Sequence, residues 1–381
     1  MSFLSNFSLW SAGTWIVPFL VVLGVVVFVH EMGHFLVARF FGVTVDAFSI
    51  GFGPEIFAFV DRYGTRWRLA VIPLGGYVKF KGDDNAASVP SREDLGRLSE
   101  EERRGNFHAK PVAQRAAVVA AGPIANFILA IFILTFWFIF VGKAILEPRV
   151  ETIEPGSAAE AAGIKPGDLI VGIGGSRVQS FDEVQRVVVM SAGTELDVTV
   201  ERGGVEIPLK ATPRLKETTD KFGNSMKIGL LGIARPTKRE DVVMHTYDPV
   251  SAFSMSLSET WFWMKQPLVF IERLSTGNAS ADDLGGVIRI AELSRDVASV
   301  SVVELFRWIA IISINIGLMN LFPIPLLDGG HLLFYGIEAI RGRPLSERTL
   351  EIGFRIGFAL VIMLMIFATR NDVIHLLHRI G

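Results

Sequence analysis

Four stretches of the chain are apolar over a length that crosses a membrane. Each holds about 18 or more residues, the length that a hydrocarbon core about 30 Å thick requires of a helix. They are Trp15 to Ala38, Val112 to Val141, about Val302 to Phe322 and about Ile352 to Thr369. The first is too long for the apolar part of a signal peptide, and no Lys or Arg precedes it. The pattern predicts four transmembrane helices, the first of them retained.

Residues 45–80 alternate apolar and polar positions, which is typical of strands. Turn residues interrupt the alternation at 51–54, 63–64 and 75–76. Because the segment is rich in aromatic side chains and follows the first apolar stretch, we expect a β-hairpin or small sheet that dips into the membrane interface. The alternative is a solvated cytoplasmic sheet. Residues 82–110 are charged and rich in turn residues, and we expect a mobile loop there.

Residues 148–215 have the pattern of a compact soluble unit. The sequence predicts a short helix, the strand LIVGI, a second helix and a β-hairpin that turns at Gly203-Gly204. This order and the stretch AGIKPGDLIVGIGG resemble a circularly permuted bacterial PDZ domain, a type that binds extended peptide by strand addition. We therefore expect one PDZ domain with a peptide ligand or substrate remnant as its partner.

A further amphipathic helix is predicted between Ser251 and Leu274. Apolar residues recur there every three or four positions, as they do on one face of a helix. They are Phe253, Leu257, Trp261, Met264, Leu268 and Ile271. The helix lies either on the outer membrane surface or against the PDZ domain, and the sequence leaves both open.

Composition agrees with a membrane protein. Half of the 381 residues are hydrophobic and 20% are charged, and the mean hydropathy is +0.43. The net charge of −2 argues against a nucleic-acid partner, which would require a basic surface. There is no cysteine, so disulfides, thiolate zinc sites and cysteine nucleophiles are excluded.

Lys and Arg are unevenly distributed among the loops. None precedes the first apolar stretch, many lie between Arg62 and Lys110, and three more, at 341, 343 and 348, lie between the third and fourth stretches. Because cytoplasmic loops are enriched in basic residues, we expect both of these loops in the cytoplasm. The N-terminus and residues 143–300 are then outside.

The first apolar stretch contains His30-Glu31-Met32-Gly33-His34, an H-E-x-x-H pattern. On a helix His30 and His34 share one face, as two imidazole zinc ligands require, and Glu31 lies within reach of a water that the metal activates. The pattern alone is weak, because two buried, hydrogen-bonded histidines would also satisfy it. Inside a predicted span, however, ionisable residues are costly and persist mainly for function.

A catalytic zinc ion usually has three protein ligands and an open position. The best source of the third is NLFPIPLLDGGHLL at the end of the third stretch, because Pro323 and Pro325 cannot continue a helix. The break delivers Asp328, with His331 as the rival ligand, and spacing alone does not separate the two. Counted from the outer side, His30 lies roughly 22 Å and Asn320 roughly 27 Å into the bilayer, so the two motifs can meet near the cytoplasmic side.

These motifs together resemble the site-2 protease family of intramembrane zinc metalloproteases. The matching stretches are HEMGHFLVARFFGV at 30–43, FSIGFGP at 48–54, IPLGGYVKF at 72–80, QRAAVVAAGPIANF at 114–127 and INIGLMNLFPIPLLDGGHLLF at 314–334. The resemblance implies that Asp328 is the third zinc ligand beside His30 and His34, and that Glu31 is the general base. It further implies that Asn320, with Pro323 and Pro325 in its motif, holds substrate or the developing oxyanion.

The resemblance also implies how substrates are bound and which proteins they are. The segment that contains Gly75 and Gly76 corresponds to a membrane-reentrant β-element that presents substrate as an added strand. Expected substrates are single-pass membrane proteins, such as anti-sigma factors and remnant signal peptides, which are cut within their transmembrane helix. The PDZ domain is expected to exclude substrates with an intact outer domain. Better-known members carry two PDZ domains, whereas this chain has one.

The fold class expected is thus an α-helical polytopic protein of the bacterial inner membrane, with about four transmembrane helices, a membrane-associated β-hairpin or sheet and one periplasmic α+β PDZ domain. The expected division is 1–44 (first span), 45–111 (β region and charged loop), 112–142 (second span), 143–235 (PDZ domain), 236–300 (periplasmic amphipathic region), 301–340 (third span and its break) and 341–381 (fourth span and C-terminus).

A PDZ adaptor with a structural metal site is the main alternative function. Glu31 discriminates the two, because a structural site does not need it. A metal transporter is disfavoured by the single closed ligand set.

Overall fold

The computed structural model describes residues 9–82, 99–178, 180–219, 225–234, 243–275 and 280–380. These residues fall into two compact units. The membrane unit lies within 1–135, 253–269 and 284–381, and the PDZ unit lies within 136–252 and 270–283.

Four helices of the described chain are long and apolar enough to cross a membrane, as expected. They are α1 (Leu9–Phe40), α3 (Val112–Phe140), α8 (Val302–Leu321) and α10 (Glu347–Ile380). Between α1 and α3 lie the strands β1 (Val45–Val60) and β2 (Arg66–Phe80) and the short helix α2 (Glu100–Gly105). Most of the expected mobile loop, 83–98, lies outside the described residues.

The strands β1 and β2 form an antiparallel pair in which both strands bend. Residues 45–50 pair with 76–80 and also with 66–69, while 55–60 pair with 66–70. Gly51, Gly53 and Gly75 therefore bend the strands, where the sequence predicted turns. Each has a positive φ angle, which glycine adopts without steric cost. The bends leave 76–80 as an edge, since its described pairing is on one side alone.

The region after the PDZ domain holds two helices, α6 (Pro249–Ser275) and α7 (Val287–Val300), where one was predicted. Within the membrane unit, α6 packs on α3, and Thr135 Oγ1 lies 2.9 Å from the fully buried Ser256 Oγ. The helix α7 packs against α1 and α8. Its N-terminus is capped from α10, because the Asp372 carboxylate accepts the main-chain N–H groups of Gly286, Ile288 and Arg289 at 2.8–3.2 Å.

The third span is interrupted, as the prolines predicted. The helix α8 ends at Leu321 and α9 (Asp328–Arg341) begins after six intervening residues. Aliphatic side chains join two of the spans, where Val22 and Val26 of α1 meet Ile309 and Ile312 of α8.

The PDZ unit follows the predicted order of helix, strand, helix and hairpin. Its main elements are α4 (Ala158–Ala161), β5 (Leu169–Ile173), β6 (Ser176–Arg177), α5 (Phe181–Met190), β7 (Leu196–Arg202) and β8 (Val205–Ala211). A sheet with the order β6-β5-β7-β8 covers α5 through buried residues that include Ile170, Ile173, Val184 and Val198. Short strand pairs complete the unit: β3 (Lys143–Ile145) with β12 (Val243–His245), β4 (Thr152–Ile153) with β11 (Ile233–Ala234), and β9 (Arg214–Thr219) with β10 (Ser225–Leu230).

Candidate metal centre

Two histidines lie close together in the C-terminal third of α1. His30 and His34 are one turn apart, so their rings lie on the same face, with centroids 4.8 Å apart. Their Nε2 atoms are 3.2 Å apart, and both residues are buried. The two imidazole nitrogens face the same point within the membrane unit and can supply two ligands to a metal ion there.

The break after α8 brings a carboxylate to the same point. Residues 322–327 contain Pro323 and Pro325, and Leu326 has a φ of 104°, a left-handed conformation that strains a non-glycine residue. This loop ends at Asp328, the first residue of α9. Asp328 Oδ2 lies 3.1 Å from His30 Nε2 and 3.5 Å from His34 Nε2.

The three side chains fit a zinc ion. One ligand atom from each of His30, His34 and Asp328 lies within 4.8 Å of the others, and among the described residues no other group of three ligands does so. Asp328 Oδ2 is buried and accepts no hydrogen bond, which is costly unless a cation binds there. Two imidazoles and a carboxylate suit zinc and leave its fourth position open.

The helix α3 packs closely against the two histidines. Gly122 lies so close to the histidines that a Cβ atom at this position would collide with His34 Nε2 and would lie 2.9 Å from His30 Cε1. The other ring nitrogens are held by the same helix. His34 Nδ1 lies 2.9 Å from the carbonyl oxygen of Val118, and His30 Nδ1 lies 3.3 Å from Asn126 Nδ2.

Sequence reasoning missed Asn126 as a residue of the site. It lies in the matching stretch QRAAVVAAGPIANF, but nothing in the local pattern pairs it with His30, 96 residues away. An asparagine in the middle of an apolar span was the available signal, because such a residue needs a polar partner. In the structure it is fully buried.

The rival ligand His331 lies outside the cluster. Its ring packs against Phe354 and Tyr335, at centroid distances of 5.1 Å and 6.4 Å. The geometry thus separates two residues that spacing alone left open, because Asp328 faces the histidines and His331, almost one turn later, faces α10.

The edge segment 76–80 passes beside Glu31. A Cβ atom on Gly76 would lie 3.1 Å from Glu31 Cγ and 3.0 Å from Val27 Cγ1, so glycine permits this close approach. The neighbouring Gly75 lines an entirely apolar cavity of about 210 Å³. Its other lining residues come from α1, α7 and α8: Phe19, Val22, Leu23, Val287, Ile290, Ile312 and Ile316.

The remaining predicted residues lie just before the break and within it. Asn320 is half-buried in the last turn of α8, Pro323 is exposed, and Pro325 is half-buried. The structure thus brings His30, His34 and Asp328 together and sets Glu31 against the edge segment. No direct contact between Asn320 and the three ligands is described.

Comparison with known proteins gives consistent relatives. A protein of Agrobacterium fabrum with a provisional zinc metalloprotease name is 47% identical over 359 residues, which cover 94% of this chain and 95% of the relative. Metalloprotease MmpA of Caulobacter vibrioides is 40% identical over 382 residues, with 94% and 95% covered. The regulator of sigma-E protease RseP of Escherichia coli is 33% identical over 453 residues, with 93% and 97% covered.

A solved PDZ domain of an SdrC-like protein from Listeria monocytogenes covers 24% of this chain and 88% of its own, at 20% identity and a TM-score of 0.18. That likeness carries no argument, and the PDZ unit is assigned from the order of its own elements. The sequence pattern of Peptidase family M50 matches residues 18–364. The chain therefore belongs to Peptidase family M50, the site-2 protease family, and is a multi-pass inner-membrane zinc metalloprotease.

Proposed function

We propose that this zinc metalloprotease cuts single-pass membrane proteins within their transmembrane segments. The observation that carries the proposal is the cluster of His30, His34 and Asp328, built from a membrane-spanning helix and the broken end of another. A ligand set at this position serves a reaction inside the bilayer, where polypeptide backbone is otherwise out of reach of water.

The proposed roles follow from donor type and position. His30, His34 and Asp328 hold the metal, and a zinc ion held there supplies Lewis-acid polarisation of the scissile carbonyl and lowers the pKa of water. Glu31 takes the proton of the attacking water as general base and delivers it to the leaving amine.

Asn320 is proposed to hold substrate or the developing oxyanion. Its amide can donate to such an oxygen, and it lies in the last turn of α8, at the start of the loop that ends at Asp328. Pro323 and Pro325 keep residues 322–327 out of a helix, in bends and turns, and we propose that this loop contacts the bound peptide.

Substrate is proposed to bind as an added strand along the edge 76–80. Peptide hydrolysis needs an extended backbone, because a helix buries its carbonyl groups in its own hydrogen bonds. Gly75 and Gly76 lie where such a strand would pass Glu31, and the apolar cavity beside Gly75 is suited to an apolar side chain of the substrate. Helix-weakening residues near the scissile bond should therefore favour cleavage.

The expected substrates are anti-sigma-factor-like proteins and remnant signal peptides. The PDZ unit is proposed to lie in the periplasm with the N-terminus, and to admit substrates whose outer domain has already been removed. The basic loops after α1 and before α10 support this orientation, and with it an active site near the cytoplasmic side.

The test compares Glu31→Gln with the unchanged chain on a single-pass model substrate in vesicles. Because Gln keeps the shape of Glu but cannot accept the proton, we expect cleavage to fall about 10²- to 10⁴-fold while zinc content is unchanged. Glu304→Gln, at the exposed start of α8, is the control and should cut normally. Normal cleavage by Glu31→Gln would refute the proposed mechanism.

A further inference from the structure

Metal binding by a histidine imposes a requirement on its other ring nitrogen. When Nε2 binds a metal, the proton of the neutral imidazole is on Nδ1, and a buried Nδ1–H needs an acceptor. For His34 the acceptor is the Val118 carbonyl oxygen at 2.9 Å. A carbonyl oxygen can only accept, so His34 is fixed in the metal-binding tautomer.

His30 has a different partner. The polar atom near its Nδ1 is the side-chain amide of Asn126, which can either donate or accept. With Nδ2 facing His30 at 3.3 Å, the imidazole nitrogen must accept, and its proton is then on Nε2, which faces Asp328. A half-turn of the amide places Oδ1 on Nδ1 instead and leaves Nε2 free for the metal.

The Asn126 side chain is held in place for this role. The residue is fully buried, and its Oδ1 has no hydrogen-bond partner in the described part of the chain. The helix α8 fixes its main chain, because Ser313 Oγ donates to the Asn126 carbonyl oxygen at 2.9 Å. Gly317 of the same helix lets the two helices approach at the Asn126 Cβ atom.

We propose that Asn126 is a positioning residue that selects the metal-binding tautomer of His30 by offering its amide oxygen to Nδ1. The inference rests on the ligand set proposed above. The tautomers of the two histidines are then selected in different ways. A main-chain carbonyl fixes the tautomer of His34, whereas a side-chain amide that can turn selects the tautomer of His30. Partners of this kind typically change metal affinity 10- to 100-fold when removed.

Two variants of nearly equal shape separate this role from packing. Asn126→Asp supplies oxygen atoms that can only accept, so it should hold zinc about as tightly as the unchanged chain. Asn126→Leu keeps the volume but offers no acceptor, so its zinc affinity should fall about 10- to 100-fold. Thr135→Val, which removes a polar contact farther along α3, is the matched control and should bind zinc normally.

The measurement is competition for zinc between the purified full chain in detergent and a chelator of known affinity. The absorption spectrum of the cobalt-loaded protein is a second readout, since it reports ligand geometry without turnover. Folding is checked by helical circular dichroism. If Asn126→Leu does not fold, Asn126→Ala replaces it, because it adds no volume to the helix interface.

A packing role makes the opposite prediction, because a buried carboxylate would then be tolerated less well than leucine. The inference is overturned if Asn126→Leu, or its alanine substitute, binds zinc as tightly as the unchanged chain. It is also overturned if Asn126→Asp loses as much affinity as the apolar variant. Asp328→Asn is measured alongside. If Asp328→Asn keeps full zinc affinity, the ligand set itself is wrong. If Asp328→Asn loses zinc affinity while Asn126→Leu keeps it, the tautomer role alone is refuted.

Discussion

The two units of the protein each contain an aspartate with a buried carboxylate oxygen, and the two aspartates differ in what those oxygens contact. In the PDZ unit, Asp168 is almost fully buried and its oxygens accept from the Arg202 guanidinium at 2.7 Å and from the Lys165 N–H at 2.8 Å. In the membrane unit, Asp328 Oδ2 accepts no hydrogen bond and faces two imidazole nitrogens.

The difference separates a structural carboxylate from a ligand. A buried carboxylate with a full set of donors stabilises the fold in one geometry, and any further cation would have to displace those donors. One that is left without donors lowers stability unless a cation binds to it. Asp328 therefore has the environment of a metal ligand, whereas Asp168 has that of a structural ion pair.

The largest effect on zinc affinity from a residue that is not itself a ligand is expected where α3 packs against the two histidines. Gly122→Ala would push a methyl group against both imidazoles, at an overpacking cost of about 1–3 kcal/mol. Zinc affinity in the chelator competition should fall about 10- to 100-fold. Gly24→Ala is the control, since a Cβ at this α1 position has no atom within 4 Å. Equal zinc affinity in the two variants would mean that the site is not closely packed around an ion.

The next effect concerns the satisfied carboxylate of the PDZ unit. Asp168→Asn removes a charge-assisted pair, at a cost of about 1.5–3 kcal/mol. Amide hydrogen exchange in β7 and β8 should become about 10- to 100-fold faster. Glu195→Gln, in an exposed ion pair with Lys210 beside the same sheet, should change exchange little.

The same pair predicts an acid dependence. Hydrogen bonds from the Arg202 guanidinium hold the pKa of Asp168 below its usual value. A carboxyl with a lowered folded pKa stabilises the fold fully above its unfolded pKa of about 3.9, and the contribution is lost as pH falls through the folded pKa. The exchange difference between Asp168→Asn and the unchanged chain should therefore be constant near neutral pH and shrink below about pH 4. A difference that grows on acidification would contradict this assignment.

The smallest effect tests whether the distinction holds inside the membrane unit. Asp372 is a buried aspartate of the same unit, but it caps α7 through three main-chain N–H groups. Asp372→Asn should weaken the start of α7 by about 0.5–2 kcal/mol, seen as faster hydrogen exchange over 287–300, and leave zinc affinity unchanged. Asp296→Asn, a half-exposed carboxylate on the same helix, is the control. Loss of zinc from Asp372→Asn would contradict the proposal that a carboxylate with a full set of hydrogen-bond donors is structural and one without donors is a metal ligand.

The elements that the sequence predicted well are those set by local pattern. Long apolar runs predicted the four spans. The predicted strand LIVGI coincides with β5, because its apolar residues favour a strand and the Gly167-Asp168 turn before it shows where the strand begins. The helix α7 was missed although apolar residues recur in it every three or four positions, at 287, 290, 293, 297 and 300. Its cap could not be read locally, because it comes from Asp372 on another span.

The metal centre was predictable in its types of residue but not in its full geometry. Spacing on α1 placed His30 and His34 on one face, whereas the choice between Asp328 and His331 depends on how residues 322–327 redirect the chain. Asn126 depends on the packing of α3 against α1. Contacts of this kind join residues far apart in sequence, and no local pattern encodes them.

The central claim is that Asp328 and the two histidines hold the zinc ion. The most direct measurement is the zinc content of purified full-length chains carrying Asp328→Asn, Asp372→Asn or Asp168→Asn, after dialysis against a moderate chelator. We predict about one zinc ion per chain in the unchanged protein and in the last two variants, and little or none in Asp328→Asn, because an amide is a much weaker ligand than a carboxylate. Full zinc content in Asp328→Asn would contradict the account.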